Sequence, residues 1–128
     1  NILVFPDGGP HDHAKVVDFG LVHSLVWDGD PGERITREGL IVGTPEYMSP
    51  EQASGGELDG RSDLFSLGTV AYYLLTGVEV FHRDNPMRTL LAVVNEEPEP
   101  FAKRGAAVPD DLAAVVAKCL AKLPDDRF

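Results

Sequence analysis

Apolar and polar positions alternate with changing period along this chain, and the densest apolar stretch runs from Arg61 to Gly77, RSDLFSLGTVAYYLLTG. Between Leu64 and Leu75 the residues Leu64, Phe65, Leu67, Val70, Ala71, Tyr72, Tyr73, Leu74 and Leu75 point all round a helical wheel. That pattern predicts a helix buried on every side, the central post of a core. Ser62 or Asp63 is placed to cap its first free N–H groups, and Gly77 stands where a left-handed residue commonly closes a helix. The run falls short of the ~20 apolar residues that a membrane crossing needs.

Shorter patterns surround it. Ile2 to Phe5 reads as a strand, Pro6-Asp7-Gly8-Gly9-Pro10 as a turn, and Lys15 to Asp18 as a second strand, together a β-hairpin with a long loop. From Gly20 to about Val42 no periodicity survives, and a loop of that length in a compact domain is usually functional or mobile. Gly43 to Glu51 carries two prolines, with Pro50 suited to the first turn of a short helix. Asn85-Pro86 predicts a cap and first turn, followed by Met87, Leu90, Leu91 and Val94 at helical spacing. Asp110 and Asp111 open an amphipathic helix with Leu112, Val115, Val116, Cys119, Leu120 and Leu123 on one stripe and Pro124 as its stop. The fold class is therefore α+β, mainly helical after a short N-terminal hairpin.

Composition narrows the function. With 128 residues the chain suffices for one domain with a real core. A net charge of −10 disfavours nucleic acid and anionic membrane and favours a cationic partner. The hydrophobic share of 43% is that of a folded globular protein. Cys119 is the lone cysteine, which excludes an internal disulfide and suits a reducing compartment; its place on an apolar stripe reads as a packed thiol. His11-Asp12-His13 invites a metal reading but lacks further ligands at metal-site spacing, so it reads as a solvated loop.

Three motifs in fixed order resemble the C-terminal lobe of the protein kinase family. Asp18-Phe19-Gly20 ends a strand and follows Asn1-Ile2-Leu3-Val4; Gly43-Thr44 runs through Tyr47 to Ser49-Pro50-Glu51; and Asp63 to Gly68 open the central helix. Ser49 stands where the family pattern has Ala. The resemblance covers nearly the whole chain and implies that residues 1–128 are a partial kinase domain, without the Gly-rich loop, strand lysine, helix glutamate and His-Arg-Asp motif that precede this point in the family.

What the resemblance implies can be assigned residue by residue. Asp18 and Asn1 would hold the Mg²⁺ ions, Leu3 and Val17 would line the adenine pocket of ATP or simply pack a core, and Phe19 would pack beneath the N-terminal lobe. Thr44 matches the threonine beside the catalytic aspartate in serine/threonine-specific members. Thr36 is a candidate for activating phosphorylation, with an ordinary loop threonine as the competing reading. Glu51 would pair with Arg127 near the end of the lobe, and Asp63 would accept N–H groups of the catalytic loop or, more plainly, cap its own helix. The implied function is transfer of the ATP γ-phosphoryl group to Ser or Thr hydroxyls of protein substrates, by a longer cytoplasmic kinase region, this piece alone being inactive. A membrane anchor elsewhere in such a longer chain stays open, and a pseudokinase-type scaffold or binding module is the alternative.

Overall fold

Gly60–Thr76 form the longest helix of the computed structural model, which describes residues 2–6, 13–17 and 43–128. The chain divides into two units, Asn1–Asp30 and Pro31–Phe128. In the first, β1 (Ile2–Phe5) pairs antiparallel with β2 (His13–Val16), Leu3 facing Lys15 and Phe5 facing His13. The second strand thus starts and ends earlier than Lys15 to Asp18, and His13, expected in the loop, opens it. Pairing partners share a face of a sheet, and so do residues two apart on one strand. Leu3 and Val17 consequently lie on the same face of the hairpin.

The second unit contains α1 (Pro50–Ser54), α2 (Gly60–Thr76), α3 (Pro86–Asn95) and α4 (Asp110–Cys119), with 3-10 turns at Pro45–Tyr47, Phe101–Arg104 and Pro124–Asp126. Helix α2 packs against α4 and against the Pro45–Tyr47 turn, while α1 packs against α3. The two units together bear out the mainly helical α+β reading.

Local chemistry explains most boundaries. Asn85 caps α3 by accepting from the Arg88 N–H at 2.9 Å, with Pro86 at the first helical position. Gly77 closes α2 at φ 72°, in the left-handed region where a Cβ is disfavoured. At its other end the cap is Asp59, whose carboxylate accepts from the Arg61 N–H at 2.8 Å, and neither Ser62 nor Asp63 takes that role. The helix begins earlier than its apolar run because Gly60 and Arg61 continue it back to a residue that can accept. Helix α4 stops at Cys119, and Pro124 instead starts a separate turn.

The core gathers around Phe65, Tyr72, Phe81, Leu90, Val93, Val116 and Leu120. The rings of Phe65 and Phe81 stack at 5.9 Å, and the Tyr72 hydroxyl donates to the Glu99 carbonyl at 2.9 Å, satisfying the polar end of a buried ring. Lys122 lays its ammonium 3.8 Å from the Phe81 ring centroid and donates to the Val93 carbonyl at 2.7 Å. Burial draws its pKa down to about 8 against the opposing pull of Glu97 and Glu96. Cys119 is buried as expected.

Three expected faces are corrected. Helix α2 is not buried all round, since Leu67, Tyr73 and Leu74 are exposed, Leu74 to 76%. The described segments cover the side bearing Phe65, Gly68, Thr69 and Tyr72 and leave the opposite stripe open. On α3 the buried face is Thr89, Leu90, Ala92 and Val93, and Met87 and Leu91 point outward. On that face the Thr89 hydroxyl accepts from the Arg83 N–H at 3.0 Å, which satisfies a buried polar group. On α4 only Val116 and Cys119, followed by Leu120, are buried; Leu112, Val115 and Leu123 are exposed.

The approach of α2 to α4 is set by Gly68. A Cβ there would lie 2.9 Å from the Cβ of Cys119 and 3.1 Å from Leu120 Cδ2. Gly68→Ala gains roughly 1 kcal/mol of helix propensity, yet overpacking of a dense interface costs about 1–3 kcal/mol. The expected outcome in urea unfolding is a net loss of about 1 kcal/mol, whereas Gly60→Ala, with nothing within 4 Å of the added Cβ, is expected to be neutral or stabilising.

Candidate functional site

Ser49 organises the segment that leads into α1. Its hydroxyl accepts from the Gln52 N–H at 3.2 Å while Gln52 Oε1 accepts from the Ser49 N–H at 2.8 Å, a reciprocal capping box with Pro50 at the first helical position. Ser49 is fully buried. The serine of Ser49-Pro50-Glu51-Gln52 therefore has a local structural reason, and the Ser-x-x-Gln spacing is a signal the sequence reading passed over. Upstream, Thr44 precedes the Pro45–Tyr47 turn, its carbonyl accepting from the Tyr47 N–H at 3.1 Å and its side chain exposed without a capping bond. Gly43 sits at φ 115°, a backbone conformation that favours glycine, and a Cβ there would also displace the Met48 methyl, 2.6 Å away.

Glu51, directly after the buried proline, points at α2 and the C-terminal turn. Arg127 donates to it in bidentate fashion, Nη1 to Oε1 at 2.7 Å and Nη2 to Oε2 at 2.9 Å, and the Ser62 hydroxyl donates to Oε1 at 2.7 Å. The expected ion pair between Glu51 and Arg127 is present, with side-chain exposures of 10% and 0%. The guanidinium also donates from Nε to the Ala121 carbonyl at 2.8 Å, from Nη1 to the Arg61 carbonyl at 2.8 Å and from Nη2 to the Lys122 carbonyl at 3.1 Å. All of its N–H donors are thereby used, the condition under which a buried charge is tolerated. Ser62 and the three carbonyls were not foreseen; a buried arginine with more donors than one carboxylate can accept is the general reason to look for them.

Electrostatics follow this geometry. Burial alone would raise the Glu51 carboxyl, but the hydrogen bonds from Arg127 and Ser62 outweigh it and hold the pKa at about 2. The Tyr47 hydroxyl is pushed up, by burial first and then by the charges of Glu79 and its neighbours Tyr73 and Glu46. The backbone of the turn is tied down in turn, the Ser66 hydroxyl on α2 donating to the Tyr47 carbonyl at 2.7 Å.

The remaining site residues are distributed as follows. Asn1, Asp18, Phe19, Gly20 and Thr36 lie outside the described residues, as do His11 and Asp12. Leu3 is half exposed on β1, and Val17 is half-buried just past β2. Thr44 belongs to the other, helical unit. Asp63 is exposed on the first turn of α2 and has no hydrogen-bond partner among the described residues. What the helical unit does bring together is Glu51, Ser62 and Arg127, clamping the segment that carries Thr44.

Comparisons with known proteins agree with the motifs. The family described as protein kinase domain matches residues 1–128. Serine/threonine-protein kinase PknB of Mycolicibacterium smegmatis is 45% identical over 115 residues, which make up 90% of this chain and 18% of that protein. Serine/threonine-protein kinase pkn3 of Myxococcus xanthus is 40% identical over 129 residues, 99% of this chain and 23% of that protein. Among solved structures, the twitchin kinase region from C. elegans aligns with a TM-score of 0.61 at 26% identity, covering 65% of this chain and 15% of that one. The chain thus spans between 18% and 23% of the length of these two curated relatives.

The clamp has a signature in acid. Because the folded pKa of Glu51 lies below the ordinary 4.5, its stabilisation is fully present above about pH 4.5 and is lost as pH falls towards 2. Denaturant unfolding at a series of pH values is expected to show Glu51→Gln less stable than the parent at pH 6, with the difference shrinking across pH 4.5 to 2.

Proposed function

We propose, from the premise that this chain belongs to the protein kinase family, that residues 1–128 are part of the C-terminal lobe of a serine/threonine protein kinase. A longer chain would transfer the γ-phosphoryl group of ATP to Ser or Thr hydroxyls of proteins. The observation that carries this reading is the clamp: Glu51, bridged to Arg127 and Ser62, fixes the segment bearing Thr44 against α2. Phosphoryl transfer asks the protein chiefly for positioning and electrostatic stabilisation, so a substrate-side segment held by a buried, fully bonded arginine is what the chemistry requires.

Each residue then has its task. Asp18 and Asn1 offer carboxylate and amide oxygens, the hard donors that suit Mg²⁺, and the ion when bound would neutralise charge on the phosphates. Leu3 and Val17, on one face of the hairpin, offer an apolar surface to the adenine ring. Thr44, exposed ahead of the Pro45–Tyr47 turn, offers a hydroxyl beside the acceptor. The names of the two bacterial relatives and the Gly43-Thr44-Pro45-Glu46-Tyr47 pattern support Ser/Thr acceptors.

The open stripe of Leu67, Tyr73 and Leu74 on α2 supports the view that further segments of a longer protein pack there. The general base and the phosphate-gripping lysine are not among the motifs of this chain, so residues 1–128 by themselves are expected to give no phosphotransfer. No helix of the described residues is long and apolar enough to cross a membrane.

Phosphotransfer from labelled ATP to a basic protein substrate, with Mg²⁺ present, tests the reading in the longer chain that carries these residues. Activity is expected, with Asp18→Asn lowering it on the order of 10²–10³-fold, the cost typical of removing one electrostatic contact to the transition state. A longer chain that folds and binds partners yet shows no transfer would replace the enzyme with the scaffold reading.

A further inference from the structure

Outside the clamp and the kinase motifs, three ligand-bearing side chains converge beside the Pro45–Tyr47 turn. Glu46 belongs to that turn, whereas Glu79 and His82 come from the connection between α2 and α3. One carboxylate oxygen from each glutamate and a ring nitrogen of His82 all lie within 4.8 Å of one another. His82 Nδ1 is 3.2 Å from Glu46 Oε1 and 3.3 Å from Glu79 Oε2.

The arrangement is held from below. Between Glu79 and His82 the chain buries Val80 and Phe81, so these two side chains emerge on either side of a core anchor. The Pro45–Tyr47 turn is fastened to α2 through the bond from Ser66 to the Tyr47 carbonyl. Neither carboxylate is neutralised by a lysine or arginine among the described residues. Two carboxylates so placed leave a local excess of negative charge beside the His82 ring.

Bond lengths choose the ligand class. A tetrahedral ion with bonds of about 2.0–2.1 Å holds adjacent donor atoms roughly 3.3 Å apart. Both separations from His82 Nδ1 match that edge, and the two carboxylate oxygens lie within 4.8 Å of each other. One imidazole nitrogen with two carboxylate oxygens suits Zn²⁺ and its transition-metal neighbours better than Mg²⁺ or Ca²⁺, which favour oxygen alone.

We propose that Glu46, Glu79 and His82 form a binding site for a divalent transition-metal ion of the Zn²⁺ class, completed by water, which clips the Pro45–Tyr47 turn to the α2–α3 connection. The site uses neither Asn1 nor Asp18 and does not depend on phosphoryl transfer. Glu46 and His82 stand 36 apart in sequence, so the ion would cross-link two segments distant along the chain.

Calorimetric titration of ZnCl₂ into the full chain tests this, with thermal unfolding in the same buffer. One ion is expected to bind with roughly micromolar affinity and to raise the unfolding temperature. Glu46→Gln, Glu79→Gln and His82→Gln are each expected to weaken binding by about tenfold or more and to abolish the temperature shift. His82 is exposed, so its variant keeps the fold, which far-UV circular dichroism checks; a double His11→Gln, His13→Gln variant is expected to bind as the parent does. No binding up to about 1 mM Zn²⁺, or binding that survives all three single substitutions, overturns the proposal and leaves His82 as a plain hydrogen-bonding bridge between two glutamates.

Discussion

A buried guanidinium must have every N–H satisfied, and the helical unit is arranged around that requirement at Arg127. Its donors reach Glu51 on α1, the Arg61 carbonyl in the first turn of α2, and the Ala121 and Lys122 carbonyls past α4. One side chain thereby joins three helical elements that are far apart in sequence. Its Cζ also lies 5.0 Å from the Phe65 ring centroid, so the charge rests against the core without opening it to water. Removing either Glu51 or Arg127 would strand the other in a place where water cannot solvate it, which is why the pair acts as a constraint on the fold more than as a source of net stability.

That constraint connects packing to function. Helix α2 offers small or hydroxylated residues where other elements meet it: Gly68 admits α4, Ser62 donates to Glu51, and Ser66 donates to the turn that follows Thr44. The segment from Gly43 to Glu51 is fixed at its end by a capping box, a buried proline and an ion pair, while Thr44 at its beginning remains exposed. The segment is thus held at its α1 end and open at the end that carries Thr44.

Sequence made the helices legible where punctuation was strong. Asn85-Pro86, Pro50 and Gly77 mark real boundaries because each supplies a backbone geometry or a cap that few residues can. It misled where burial depends on neighbours. The all-round apolar pattern of Arg61 to Gly77 describes a helix able to be covered on every side, and coverage is decided by other segments, so Leu67 and Leu74 remain open. On α3 the spacing pointed to Met87, Leu90, Leu91 and Val94, and of these Leu90 is buried while Met87 and Leu91 face outward, because neighbouring segments cover the side bearing Thr89 and Val93. At the site, the Glu51–Arg127 pair was reachable only through family resemblance, since nothing local relates residues 76 apart. Ser62 as the third member, and the meeting of Glu46 with Glu79 and His82, arise from tertiary packing that no spacing rule encodes.

The most direct test of the Arg127 constraint is a double-mutant cycle in urea unfolding, using Glu51→Gln, Arg127→Met and the pair together. If the two side chains act as one buried unit, the double variant loses much less than the sum of the singles, with a coupling of about 2 kcal/mol or more. Additive losses, with coupling under about 0.5 kcal/mol, would mean that the pair is incidental and that the segment bearing Thr44 is held by other contacts.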